Sequence, residues 1–122
     1  MLIAGIDPGV NGAIAVLDSE NPDSVALLDL KKKSITDIWK WLQALKRTQW
    51  YDWDLKIDAK IIIWVEDIHS MYGMSAKSNF SFGKNLGIVT AIAEIFTELP
   101  PNTVTPKIWQ KYIGVTAKGK AV

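Results

Sequence analysis

Apolar and polar positions along the chain change period several times, and each change marks an element. Residues 2–7 (LIAGID) and 13–18 (AIAVLD) are short apolar runs separated by PGVNG, which predicts two strands joined by a turn. The polar cluster ENPDS reads as a second turn, and residues 24–30 as a third strand. Strands joined by connections this short are antiparallel neighbours.

The period then lengthens. Ile35, Ile38, Trp39, Leu42 and Leu45 recur at helical spacing, and Ser34 with Asp37 forms an approximate capping box at the start. This helix fades around Arg47, and residues 48–58 (TQWYDWDLKID) read as an acidic, aromatic surface connection. Five consecutive apolar residues from Ile61 to Val65, bounded by charges, predict a strand buried on both faces. After a loop over 68–77, a long helix is expected over 78–98, with Gly83, Gly87 and Ala91 four apart along one stripe. A glycine inside a helix costs roughly 1 kcal/mol relative to alanine, so a close backbone approach is expected to offset it, with packing of the stripe on the sheet favoured over a dimer helix. Pro100-Pro101 ends that helix, 102–105 reads as a short strand, and Pro106 opens a short helix that stops near Gly114. The order is therefore β-β-β-α-β-α-β-α, a mixed α/β sheet. The right-handed crossover rule brings the strand at 60–65 back parallel to the first.

Composition narrows the chemistry. The 122 residues suit one domain, and 48% apolar with 22% charged residues is globular composition. No apolar run approaches the ~20 residues of a membrane span, and no basic leader precedes an apolar one, so a soluble, cytoplasmic protein is expected. With no cysteine and a single histidine, His69, thiolate and multi-histidine metal sites are excluded. A metal must then be held by oxygen ligands, which suits a hard cation such as magnesium. The net charge of +1 gives no global signature of nucleic-acid binding. Beyond Glu98, however, the chain carries Lys107, Lys111, Lys118 and Lys120 and no acid, a distribution that fits a phosphate-facing surface or a solvated helix face. Most of the six tryptophans read as packing residues.

Two carboxylates stand out. Asp7 ends the first strand and Glu66 the fourth. If these strands are parallel neighbours, both emerge at one sheet edge, where open α/β sheets hold their ligands. A divalent cation would relieve their repulsion, polarise a phosphoryl oxygen and activate water. Each also has a local reading. An aspartate before Pro-Gly bonds its own turn, and a glutamate can simply end a strand. Asp67 competes with Glu66, but alternation sends it to the other face.

"GIDPGVNGAIAVLD" resembles the first motif of the RuvC-type Holliday junction resolvases, and "IIIWVEDIHSM" their second, an apolar strand ending in a glutamate. "SNFSFGKNLGIVTAI" and "VTPKIWQKYIGVTAKGKA" are similar to the glycine-bearing helix and the basic segment that follow in phage-type members. The resemblance covers nearly the whole chain in order. It implies a ribonuclease H-like fold, with sheet order 3-2-1-4-5 and helices on both faces. It also implies a homodimeric endonuclease that resolves four-way DNA junctions with Mg²⁺ or Mn²⁺. By position, Asp7 and Glu66 would be the catalytic metal ligands. A lysine among Lys118 and Lys120 falls where the family has basic residues near the cleaved phosphate, and Lys111 belongs to the same basic stretch as a nucleic-acid-binding candidate. Tyr72, in the loop after Glu66, has two equal readings, a stack on an unpaired base or an aromatic folded back onto the surface.

The family continues into a helix with further acidic residues, whereas nothing after Glu98 is acidic here. Residues 1–122 are therefore expected to form a single domain lacking that helix, with little nuclease activity. Other readings stand beside this one. The D-x-G-x-x-G pattern of 7–12 also resembles the phosphate hairpin of actin and sugar-kinase ATPases. A non-catalytic nucleic-acid-binding module would use the lysines alone. The nucleases that trim ribosomal RNA precursors share the first motif, but usually have arginine where this chain has Asn11.

Overall fold

The computed structural model of the chain describes residues 1–50, 61–68 and 75–114. Its elements are β1 (Leu2–Asp7), β2 (Ala13–Asp18), β3 (Asn21–Asp29), α1 (Ile35–Trp50), β4 (Ile61–Glu66), α2 (Ala76–Thr97), β5 (Asn102–Val104) and α3 (Pro106–Ile113). The five strands form one sheet in the order β3-β2-β1-β4-β5. β2 is antiparallel to both β1 and β3, while β4 runs parallel to β1 and to β5. The mixed sheet expected from the alternation of elements is present, with the crossover strand beside the first.

Alternation along the strands sends one set of side chains to a common core. Leu2, Ala4 and Ile6 of β1, Ile14 and Val16 of β2, and Ile63 and Val65 of β4 are all buried. They pack with Ile38 and Leu42 of α1 and Val89, Ile92 and Ala93 of α2. Trp39 and Phe96 join the two helices edge to face, their ring centroids 5.6 Å apart. Truncating a fully buried member such as Leu42 to alanine would cost about 2–5 kcal/mol.

The opposite face is more open. Trp64 is 41% exposed although Ile63 and Val65 on either side are buried, so β4 is not covered on both faces as its unbroken apolar run suggested. Val25 and Leu27 of β3 are exposed as well, paired across the sheet with Leu17 and Ala15. Among the described residues, α3 reaches this side of the sheet, through a bond to Glu66.

Several boundaries move for local reasons. β3 starts at Asn21 rather than Ser24, incorporating Pro22; β3 is an edge strand, where a missing N–H is tolerated. A register shift between Leu17 and Asp18 accommodates the extra residues. The capping box of α1 is reciprocal: the Asp37 N–H donates to the Ser34 hydroxyl (3.1 Å) and the Ser34 N–H to the Asp37 carboxylate (2.9 Å). α2 begins at Ala76 because the Ser75 hydroxyl accepts from the Ser78 N–H at 3.1 Å.

The small-residue stripe of α2 does not pack on the sheet. Gly83, Gly87 and Ala91 are all exposed, and a Cβ placed on either glycine would meet nothing within 4 Å. The buried side of α2 is instead its Val89, Ile92, Ala93 face.

Candidate metal centre

The first turn is built around Asp7. Its Oδ1 accepts the Gly9 N–H at 3.0 Å, so the local turn-forming role of this aspartate is real. Asp18 and Asp29 do the same at the ends of β2 and β3, bonding the N–H groups of Glu20 and Lys31. Asx turns are thus a repeated device for ending these strands, and Asp7 is set apart by what lies beside it.

Gly12 closes the turn. Its N–H donates to the Gly9 carbonyl at 2.9 Å, and its own carbonyl accepts from Leu30 at 2.9 Å. A Cβ here would collide with the Asp7 carbonyl oxygen and lie 2.9 Å from the Gly9 oxygen, so only glycine lets the chain fold back this tightly. Gly9 keeps the side-chain oxygen accessible: a Cβ there would stand 3.3 Å from Asp7 Oδ1. Pro8 between them is fully buried and anchors the turn, while Asp7 itself is exposed.

Glu66 occupies the matching place on the neighbouring strand. Parallel pairing sets Ile6 opposite Val65, so Asp7 and Glu66 each follow one residue beyond that pair, at the same edge of the sheet. Neighbouring strands lie about 4.8 Å apart. Glu66 is half-buried, and its Oε1 accepts the indole N–H of Trp109 from α3 at 3.0 Å. Among the described residues each carboxylate thus accepts a single N–H through one of its oxygens.

That donor set fits one hard dication. Magnesium is commonly bound by one or two carboxylates, with water and substrate phosphate completing the octahedron. It does not amount to a closed site, since the described residues contain no group of three His, Cys, Asp or Glu that could hold a metal. Asp67 is not grouped with the pair as a third ligand, and its backbone N–H is directed to the Val104 carbonyl at 2.8 Å.

Of the other sequence-derived site residues, Lys111 is exposed in the last turn of α3, with Lys107 exposed one turn earlier. Tyr72, Lys118 and Lys120, like His69, lie outside the described residues. Trp109 was not singled out by sequence. Its partner stands 43 residues away, and the T-P-x-x-W stretch says only that a tryptophan follows the helix start.

A cavity of about 60 Å³ lies beside the same turn, bordered by Gly9, Val10, Leu30, Lys33 and Asn85. It has room for water rather than for a nucleotide, whose pockets span about 300–1,000 Å³. No helix among the described residues is long and apolar enough to cross a membrane.

No protein-family model matches the chain, and no curated protein matches it in sequence. In three dimensions it is similar to the Thermus thermophilus RuvC solved in complex with Holliday junction substrate, with a TM-score of 0.57 and 14% identity over 91% of this chain and 68% of that one. A second Thermus thermophilus RuvC structure aligns at a TM-score of 0.49 and 17% identity, covering 100% of this chain and 73% of that one. The fold of this chain is therefore RuvC-like, the ribonuclease H-like mixed sheet in the order 3-2-1-4-5.

Proposed function

We propose that this chain is the core of a divalent-metal-dependent endonuclease of the phage-type RuvC-like class, acting on four-way or otherwise branched DNA in the cytoplasm. The observation that carries the reading is the register of Asp7 and Glu66 on adjacent parallel strands. It occurs in a fold shared with a RuvC captured on a Holliday junction.

In this reading Asp7 and Glu66 hold Mg²⁺ or Mn²⁺. When bound, the metal polarises the scissile phosphate and favours ionisation of a water nucleophile. The chain's own residues do the rest. The Gly9 N–H and the Trp109 indole each fix one carboxylate oxygen, which keeps the two side chains at the sheet edge. The turn glycines keep bulk away from Asp7, so a backbone phosphate can approach. Lys107 and Lys111 offer cations on the exposed side of α3, a lysine among Lys118 and Lys120 is assigned to the cleaved phosphate by the motif resemblance, and Tyr72 would stack on an unpaired base of the same DNA. Two active sites on one junction call for a homodimer, which completes the proposal.

Two carboxylates are what the described residues offer a metal, which supports weak binding and an expectation of slow cleavage. The same observation favours, as a second reading, a module that binds branched nucleic acid without cutting it. An ATPase reading gains nothing from the cavity beside Gly9, which is too small for a nucleotide.

The test is a comparison of a four-way DNA junction with a linear duplex of the same sequence, with and without Mg²⁺ or Mn²⁺. Tighter binding to the junction with slow, metal-dependent nicking supports the nuclease. Junction binding with no nicking in either metal favours the binding module, and equal affinity for junction and duplex removes both.

A further inference from the structure

The bond between Trp109 and Glu66 crosses from α3 to the end of β4 and ends on a carboxylate of the proposed site. Among the described residues, α3 has few other polar anchors. It has eight residues, none of them fully buried, and its N-cap residue Thr105 makes no side-chain cap bond. Ile108, Tyr112 and Ile113 face outward, Tyr112 at 92% exposure. Trp109 is only partly exposed. Its one polar atom, 3.0 Å from Glu66 Oε1, is committed to that oxygen.

The chemistry of the donor matters. An indole N–H donates one hydrogen bond, accepts none and carries no charge at any ordinary pH. It can therefore fix an oxygen of a carboxylate without neutralising it, and it cannot replace the carboxylate as a metal ligand. A lysine or arginine in the same place would satisfy the negative charge that a cation needs. Groups that orient metal ligands through their outer oxygens typically change metal affinity by about 10–100-fold when removed.

We propose that Trp109 is a positioning residue for Glu66. It holds Oε1 and leaves Oε2 for the cation, which ties the metal affinity of the site to the placement of α3. The inference rests on the proposed function, in which Glu66 is a metal ligand. Since α3 also carries Lys107 and Lys111 in exposed positions, nucleic acid drawn to those lysines acts on the helix that orients Glu66.

The experiment measures Mn²⁺ affinity of the full 122-residue chain by calorimetry for wild type, W109F, E66Q, E66D and the double variant W109F/E66D. Phenylalanine keeps an aromatic ring and removes the N–H. The expected result is a 10–100-fold loss of Mn²⁺ affinity in W109F. That loss shrinks or vanishes in the E66D background, where the shorter side chain has already left the indole. A helix merely packed by Trp109 would show no such coupling. Unchanged Mn²⁺ affinity in W109F, with binding abolished in E66Q, overturns the positioning role and leaves the metal site standing. Unchanged affinity in E66Q overturns the metal site itself, and this inference with it.

A second readout needs no substitution at Trp109. Among the six indole N–H resonances of the wild-type chain, one should shift on addition of Mg²⁺, and none in E66Q. If no indole resonance responds to Mg²⁺ at concentrations that saturate the site, the proposal is wrong even should W109F fail to fold.

Discussion

Asp7 and Glu66 stand side by side because β1 and β4 are parallel and in register, each carboxylate one residue beyond the paired Ile6 and Val65. Their hydrogen bonds are also alike. One oxygen of each accepts an N–H at 3.0 Å, from Gly9 in one case and from Trp109 in the other. On the proposed function, each carboxylate keeps its other oxygen for a cation.

Asp7→Asn separates chemistry from folding. The amide oxygen that takes the place of Oδ1 still accepts the Gly9 N–H, so the turn persists and thermal stability changes little. Metal-dependent nicking should fall by about 100-fold or more, since a metal supplies several kcal/mol of transition-state stabilisation and each ~1.4 kcal/mol is a factor of ten. Circular dichroism melts beside the nicking rate check both halves.

Glycines in the turn and in α2 should respond in opposite directions. Gly12→Ala drives a methyl group into the Asp7 carbonyl and should cost about 1–3 kcal/mol or more. Gly83→Ala and Gly87→Ala meet nothing in space and lie inside a helix, so each should stabilise the chain by about 0.4–1 kcal/mol. Urea unfolding of the single variants reads all three.

The α1 cap carries a pH dependence. The Asp37 carboxyl is held below its ordinary value of 3.8, chiefly by the Ser34 backbone N–H and then by the Ser34 hydroxyl, with Lys33 and Lys40 adding to it. Because the folded value is the lower one, the cap's stabilisation is fully present above 3.8 and is lost as pH falls through the folded value. Denaturant titrations from about pH 5 downward should show a shallower acid loss in D37N than in wild type.

Lys107→Ala and Lys111→Ala should weaken binding to DNA of any sequence and flatten its salt dependence by about 0.9 for each duplex phosphate contact removed. Affinities measured across a salt series, with Gly83→Ala outside the proposed site as the variant whose salt slope stays unchanged, give the comparison.

The strand order and the carboxylate pair were legible because both follow from short-range pattern. Tight turns make antiparallel neighbours and a crossover strand returns parallel, while the motif resemblance implied the strand order that puts Asp7 beside Glu66. What stayed hidden depended on faces and distant partners. Spacing groups Gly83, Gly87 and Ala91 on one stripe but does not say whether that stripe meets the sheet or solvent, and it meets solvent. An unbroken apolar run hid the exposed Trp64, since nothing local reports how well the far side of β4 is covered. Pro22 and Asp23 read as turn residues, and only the edge position of β3 makes them a strand. The Trp109–Glu66 bond joins residues 43 apart, beyond the reach of any local pattern.

On the proposed function, Asp7 and Glu66 together bind a divalent cation. The most direct measurement is a Mn²⁺ titration followed by electron paramagnetic resonance on wild type, D7N and E66Q. One saturable site is expected in the wild-type chain, weakened at least tenfold by either substitution while the fold is kept. A Mn²⁺ isotherm that is the same in all three proteins would contradict it.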